Sequence, residues 1–384
     1  MTMALQHMTF GSSSKEASHP PENPETHKLH SYPLFDWLRF VLASVVVLGH
    51  ANFQFLPFLN GSLAVSVFFA LSGWLIGGIL LRTDIAELPR FFFNRATRIW
   101  ITYGAAIVLL YGVAALREGV DVFWWKYLVM DVTFTHQLFT FFPAASLEMP
   151  LDGSGNQFWS LSVEEQFYLV TPLLMLFLPH GKTLIFWIVF TLLALSFSTH
   201  AGPIALGVCA AILQRDHDLE NRPWVRLVAL VVVIGCALAL SFGKKDLAWL
   251  ASAFFSIGVV IALAIPGRRS KIALFLGALS FPLYLNHWLG LSLTHGIAKH
   301  TGFLEMAALP FLSYAVAIGI TIPIYLLVDR NVMAQRAKWY GPKLGRRLGQ
   351  MAYALVGIGL LLGLLFHEFG PHAIVPPEAQ GMAG

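Results

Sequence analysis

The chain has 384 residues, of which 57% are hydrophobic and 12% are charged, whereas soluble domains carry about 25% charged residues. With a mean hydropathy of +0.67, it has more apolar surface than one soluble core can bury. The composition excludes an ordinary cytosolic enzyme, a disordered chain and a disulfide-rich secreted domain, and it indicates an integral membrane protein. The net charge of +4 fits basic cytoplasmic loops better than nucleic acid binding, because no basic run has interleaved aromatic residues.

The segment 1–33 is rich in Ser, Pro, Glu and His and is predicted to be a disordered N-terminal tail. It lacks the basic start and short apolar stretch of a signal peptide. The two cysteines, Cys209 and Cys236, lie in apolar runs without metal-ligand spacing, so we interpret them as packing residues.

Eleven apolar stretches follow the tail, and a membrane span needs about 20 such residues. The predicted fold is therefore all-α, a polytopic transmembrane helix bundle of about 10–11 spans. No internal repeat is visible, which disfavours a transporter built from duplicated halves. The predicted spans are 34–55, 62–81, 97–116, 157–178, 182–198, 202–214, 224–242, 246–265, 272–296, 306–328 and 351–367.

The basic residues are distributed unevenly between the two sides that these spans define. With the N-terminus in the cytoplasm, 19 Lys and Arg fall on the inner side and 5 on the outer side, and Arg39 lies within the first span. This ratio agrees with the positive-inside rule and predicts a cytoplasmic N-terminus. The longest outer connection, 117–156, ends in the flexible sequence LDGSGN. It is interpreted either as a functional segment or as an aromatic belt at the membrane interface.

The first span, FDWLRFVLASVVVLGH, carries Asp36, Arg39 and His50. Arg39 and His50 are eleven positions apart, so they share nearly one helix face and lie about 16 Å apart along the axis. Asp36 lies on nearly the same stripe. Ionisable groups inside a span are costly and are by default a functional hypothesis. The stripe therefore suggests a polar path across the bilayer.

The fourth span, FWSLSVEEQFYLVTP, places Glu164 and Glu165 in its outer part, at a depth similar to that of His50. A carboxylate beside a histidine is typical of a general base. A buried ion pair that only joins two helices is the alternative. Tyr168 follows Glu164 by one turn on the same face.

Three further motifs contain candidate residues. In VSVFFALSGWLIGG, the small residues Ser72, Gly73, Gly77 and Gly78 favour close helix packing over a backbone donor site. In LPRFFFNRATRIW, Arg90, Arg95 and Arg98 suit either a phosphate-bearing cofactor on the cytoplasmic face, or topology and lipid headgroups. In LSFPLYLNHWLG, Pro282 can break the helix, and Tyr284, Asn286 and His287 add polar groups. His287 is either a ligand contact or a satisfied core histidine.

Together these motifs resemble the acyltransferase-3 family of integral membrane acyltransferases, over about residues 34–330. The resemblance implies a bacterial inner-membrane enzyme that transfers an acyl group, often acetyl, from acyl-CoA to a hydroxyl of a cell-surface or lipid-linked glycan. Expected partners are acetyl-CoA or another acyl-CoA as donor, the glycan and membrane lipids, with no tightly bound cofactor and no metal. Residues 331–384 are predicted to form a basic inner loop, an additional span and a tail.

The resemblance implies roles for the motif residues. His50 is the general base, with Glu164 and Arg39 as catalytic partners, and Arg95, Arg98 and Arg39 handle the donor. Candidate substrate-binding residues are Glu165, Tyr168, Tyr284, Asn286, His287 and Asp36. The alternative function is a transporter or flippase of a lipid-linked sugar, which would use the intramembrane charges as a substrate path.

Overall fold

A computed structural model describes residues 31–139, 145–197, 199–243, 247–302 and 307–369. Within these residues all regular secondary structure is helical. The predicted N-terminal tail lies outside the described residues except for its last three positions. The α-helices are α1 (Pro33–His50), α2 (Gly61–Leu80), α3 (Leu88–Arg117), α4 (Val122–Val132), α5 (His136–Phe139), α6 (Ala145–Glu148), α7 (Pro150–Gly153), α8 (Phe158–Phe177), α9 (Leu184–Ser196), α10 (Ala201–His217), α11 (Pro223–Phe242), α12 (Ala248–Leu263), α13 (Lys271–Thr301), α14 (Leu309–Ile324), α15 (Arg330–Trp339) and α16 (Pro342–Phe369).

The predicted helical membrane bundle is confirmed, and each of the eleven predicted spans coincides with a helix. In the described part of the chain, seven helical segments are long and apolar enough to cross a membrane. Helices α9 and α12 are apolar but shorter, with 13 and 16 residues. Helix α8 has 20 residues, but the sequence Glu164–Glu165–Gln166 lowers its hydropathy. The chain is a multi-pass integral membrane protein.

Two boundaries differ from the prediction. Helix α3 begins at Leu88 rather than near residue 97, with a proline in its first turn, which is a favourable position for proline. The motif with Arg95 and Arg98 is therefore helical. The expected basic inner loop after residue 330 is mostly helix, because α15 continues to Trp339 and α16 starts at Pro342.

The predicted outer connection folds into the four short helices α4–α7. Lys126 Nζ lies 2.7 Å from Glu148 Oε2, and both side chains are buried. His136 Nδ1 lies 2.6 Å from Asp131 Oδ1. Burial, followed by the charge of Glu148, raises the pKa of the Tyr127 hydroxyl well above its usual range. These partnered polar groups make the connection a packed cap, so it is more than an interfacial belt.

Helices α2 and α10 approach most closely at two glycines. A Cβ atom at Gly73 would lie 1.9 Å from the Ile204 carbonyl oxygen, and one at Gly207 would lie 2.1 Å from the Ala70 carbonyl oxygen. The packing interpretation therefore holds for Gly73. Gly78 has no atom within 4 Å of its Cβ position.

We predict that Gly73→Ala lowers the melting temperature of the purified protein, because its methyl group would force the helix backbones apart. Overpacking of this kind typically costs about 1–3 kcal/mol. Gly78→Ala, in the same helix, is the control and should melt at or slightly above the wild-type temperature, since its methyl group meets open space. Equal melting temperatures for the two variants would contradict the close contact.

Candidate functional site

A cavity of about 940 Å³ lies at the carboxyl end of α1. It is formed by α1, the start of α2, the segment 152–157, Trp159 and the middle of α13. Its polar lining residues are His50, Asn52, Gln54, Asn60, Ser62, Asp152, Ser154, Asn156, Gln157, Tyr284, His287 and Ser292, and its aromatic lining includes Phe53, Trp159 and Trp288. Amides, hydroxyls and tryptophan rings together suit a polar molecule with flat apolar faces.

His50 is hydrogen-bonded to His287 in this cavity. His50 Nδ1 lies 2.8 Å from His287 Nε2, and the two rings are stacked with centroids 5.0 Å apart. The pair joins the end of α1 to α13. His287 is 2% exposed, as a satisfied core histidine would be, and it also lines the cavity, as a ligand contact would.

The hydrogen bonds assign a tautomer to both rings. His287 Nδ1 lies 2.7 Å from the Tyr284 carbonyl oxygen, which can only accept, so His287 Nδ1 carries the proton. Neutral His287 then has its lone pair on Nε2, which accepts from His50 Nδ1–H. His50 Nε2 therefore has the lone pair and can accept a proton from a molecule in the cavity.

Glu164 is not the partner of His50. Its carboxylate accepts hydrogen bonds from Ser72 Oγ and Tyr168 OH. At the level of the histidine pair, α8 supplies Ser160, whose Oγ lies 2.6 Å from Tyr284 OH. The preceding Gln157 lines the cavity, and Glu164 is seven residues further along, which is about 10 Å deeper at the helical rise.

Glu165 lies apart from the cavity. It is 3% exposed, and Glu165 Oε1 accepts a hydrogen bond of 2.8 Å from Trp100 Nε1 of α3. The expected common depth of His50 and both glutamates is therefore wrong. The register of α8 depends on where the preceding cap ends, which the span pattern alone did not fix.

A group of arginines lies at the other end of the stripe. Arg39 Nη1 is 3.3 Å from Asp36 Oδ1, and Arg39 also has an attractive Coulombic interaction with Glu164. The Arg95 guanidinium lies 5.6 Å from the centre of the Tyr168 ring. Arg98 is exposed and has repulsive interactions with Arg39 and Arg95. The structure thus brings the three predicted donor-binding arginines together.

Two predicted substrate contacts have structural partners away from the cavity. Asp36 Oδ2 lies 3.2 Å from Arg269 Nε, so Asp36 ties α1 to the segment before α13. Asn286 is 1% exposed, and its Nδ2 donates to the Pro282 carbonyl oxygen at 3.0 Å. Helix α13 continues through Pro282 without the expected break.

The cavity also contains residues that the sequence analysis did not select. Leu151, Asp152 and Gly153 have φ values of 53°, 53° and 80°, a left-handed run that is costly for the two residues with a Cβ. Glu118 Oε2 accepts from Leu151 N at 2.9 Å and supports this turn. The turn places Asp152, which is exposed, in the cavity wall. In the sequence, the flexible motif LDGSGN was the one feature that drew attention to this turn.

Comparison with known proteins identifies relatives of the chain. The acyltransferase domain model of the acyltransferase-3 family matches residues 32–330. A Staphylococcus aureus (strain COL) protein named as a candidate O-acetyltransferase is 25% identical over 355 residues, covering 77% of this chain and 55% of that protein. Peptidoglycan O-acetyltransferase OatA of Listeria monocytogenes is 31% identical over 155 residues, covering 38% of this chain and 24% of OatA. The chain thus spans about half the length of the first of these relatives, and no solved structure gives a significant match.

The predicted orientation places the cavity on the outer side of the membrane. We predict that Asn156→Cys, at an exposed cavity position, reacts with a membrane-impermeant maleimide in intact cells. Lys343→Cys, at the exposed start of α16, should react only after permeabilisation. Both are made with Cys209→Ala and Cys236→Ala to remove background labelling. The opposite labelling pattern would reverse the topology.

Proposed function

Because the chain belongs to the acyltransferase-3 family, we propose that it is a membrane O-acetyltransferase that moves an acetyl group from acetyl-CoA to a hydroxyl of a cell-surface or lipid-linked glycan. His50 is the general base. The observation that supports this most directly is the hydrogen-bond chain from the Tyr284 carbonyl through His287 to His50, which leaves His50 Nε2 as a proton acceptor in a large polar cavity.

The proposed reaction is a direct transfer. A hydroxyl in the cavity gives its proton to His50 Nε2 while its oxygen attacks the thioester carbon. The new C–O bond forms, the C–S bond breaks, and the electron pair leaves with the sulfur. The imidazolium then returns the proton to the thiolate, so that the products are an acetyl ester and free coenzyme A.

His287 is a positioning residue in this scheme. When His50 is protonated, Nδ1–H still donates to His287 Nε2, so the geometry does not have to change during the proton transfer. The Tyr284 carbonyl oxygen fixes the His287 tautomer and orients its ring. A neutral partner stabilises the imidazolium less than a carboxylate would, but it leaves no unpaired buried charge when His50 is neutral.

The spacing along α1 suits a long donor. The arginine group and His50 are about 16 Å apart along the helix axis. A donor with phosphates at one end and its reactive carbonyl at the other, joined by an extended arm, matches this separation, and coenzyme A thioesters have this form. Between the two ends lies Glu164 with Ser72 and Tyr168. In this arrangement, Glu164 orders the path and offsets the charge of Arg39, whose Coulombic interaction with it is attractive.

The cavity lining supports a glycan acceptor. Asparagine and glutamine amides and the carboxylate of Asp152 can bind neighbouring hydroxyls, and Trp159 and Trp288 offer flat apolar surfaces. Such a lining favours a neutral carbohydrate over an anionic one, because Asp152 would repel a second carboxylate. With the cavity on the outer side, the acceptor would be a glycan at the outer face of a bacterial plasma membrane.

We predict that His50→Ala lowers acetyl transfer by about 10²–10⁴-fold, the usual contribution of a general base. The measurement is acetyl-CoA-dependent thiol release by purified protein in nanodiscs made with a bacterial lipid and lipid-linked glycan extract. His295→Ala is the control, because His295 Nδ1 hydrogen-bonds to the Leu291 carbonyl oxygen within α13 and His295 is not among the residues that line the cavity. Full activity in His50→Ala would contradict the proposed mechanism. Transport of glycan without thiol release would favour the alternative function as a flippase.

For His287 we predict a loss in kcat of about 10- to 100-fold on substitution by Ala, by analogy with the groups that orient metal-binding histidines. KM for acetyl-CoA should stay unchanged, since His287 lies at the other end of the path. His287→Gln should recover part of the rate, because its amide oxygen can accept from His50 Nδ1–H. A change in KM alone would mean that His287 binds substrate and does not orient His50.

A further inference from the structure

Helix α15 lies alongside α3 in antiparallel direction. At one end, Thr102 Oγ1 donates to Asp329 Oδ1 at 2.7 Å. At the other end, the rings of Phe93 and Tyr340 have centroids 5.2 Å apart, and the Arg90 guanidinium lies 5.5 Å from the same Tyr340 ring. These contacts fix the register between the two helices.

The register places Arg336 opposite the arginine pair of α3. Between Asp329 and Tyr340, position 336 lies about two thirds of the way along, which corresponds to residues 95–98 on α3. Arg336 accordingly has a repulsive Coulombic interaction with Arg95, and Arg98 has one with Arg336. Arg336 is half-buried, whereas the other positions from 333 to 339 are exposed.

Three guanidinium groups thus converge and repel one another, and the carboxylates near them offset this repulsion only in part. In the described part of the chain, no carboxylate lies within 4.0 Å of Arg95, Arg98 or Arg336. Glu165 has an attractive Coulombic interaction with Arg95, and Asp329 has one with Arg98. Each of these carboxylates also accepts a hydrogen bond from a neutral donor, Trp100 and Thr102 respectively. Arg95 Nε is also buried without a hydrogen-bond partner. Like charges that are partly buried repel strongly, so this arrangement suits a multiply charged anion.

We propose, resting on the proposed function, that Arg336 completes with Arg95 and Arg98 the site that binds the phosphate groups of the coenzyme A donor. Arg336 lies beyond residues 32–330, the part that matches the family model. Its planar fork can bind two phosphate oxygens at once. Because CoA carries a diphosphate and a separate 3′-phosphate, a third guanidinium can reach a phosphate that Arg95 and Arg98 leave free.

The local structure holds this arginine in place. The π-helical turn Tyr325–Asp329 precedes α15, and such turns shift the register of the residues that follow. After α15, the backbone leaves the helix at Tyr340, and α16 starts at Pro342. The helix is therefore fixed at both ends against α3, and Arg336 lies between these two fixed points.

The test is binding to the full chain in phosphatidylcholine nanodiscs, with acetyl-CoA, acetyl-dephospho-CoA and acetyl-pantetheine as ligands. Arg336→Ala should weaken acetyl-CoA binding by about 10- to 100-fold, as expected for hydrogen bonds between charged groups. It should leave the affinity for acetyl-pantetheine, which lacks all three phosphates, unchanged. Arg336→Lys should lie in between, and Lys338→Ala, at an exposed position of the same helix, should bind as wild type does.

A smaller loss for acetyl-dephospho-CoA than for acetyl-CoA would assign Arg336 to the 3′-phosphate, and equal losses would assign it to the diphosphate; both support the site. Equal acetyl-CoA affinity in Arg336→Ala and Lys338→Ala would overturn it. An effect seen only when anionic lipid is added would assign Arg336 to a lipid headgroup and overturn the donor site. Wild-type protein that binds none of the three ligands would instead contradict the proposed function itself. Arg336→Lys keeps the charge and serves as the folded comparison if Arg336→Ala melts early.

Discussion

A charged or polar side chain inside an apolar helix bundle must have a partner or must line a polar space, because the hydrocarbon offers neither water nor counterions. This constraint organises the stripe on α1. Asp36 pairs with Arg39 and with Arg269 of the segment before α13, and His50 pairs with His287 at the edge of the cavity. The segments packed around α1 therefore supply partners for these polar groups. The candidate site has two separate parts, one at Arg39 and one at His50, because the polar residues of α1 lie near its two ends.

The part of the site at the arginines and the part at the histidines have different chemistry, because their side chains differ in charge. The arginines carry permanent charge, so their site attracts anions and is accessible at Arg98. The histidine pair is fixed by a backbone carbonyl, which leaves His50 Nε2 free to take up a proton and return it. Glu164, with Ser72 and Tyr168, lies between them and separates the positive charge from the base. The proposed transfer from a charged, water-soluble donor to an acceptor on the opposite face would use this separation.

The packed cap outside the bundle has a structural role in the site. Its buried ion pair, Lys126 with Glu148, and the support of Leu151 by Glu118 hold the segment that closes the cavity. The left-handed turn at Leu151 and Asp152 is stable only because these contacts offset its cost. The segment that carries Asp152 is therefore positioned by contacts with α4 and with the end of α3, so a substitution in the cap is expected to alter the cavity.

Hydropathy and helical spacing are local properties, so the class of fold, the positions of the helices and the identity of most chemical groups could be predicted from the sequence. It showed that Arg39 and His50 share a face of α1, that Arg95 and Arg98 form a pair, and that Gly73 marks a close helix contact. Which of these groups contact one another depends on the packing of the helices. It paired His50 with His287 instead of Glu164, brought Arg336 to the arginine pair, and placed Asp152 in the cavity. These contacts depend on the relative depth and rotation of separate helices, which are set by packing between segments distant in sequence and leave no periodic signal in any one of them.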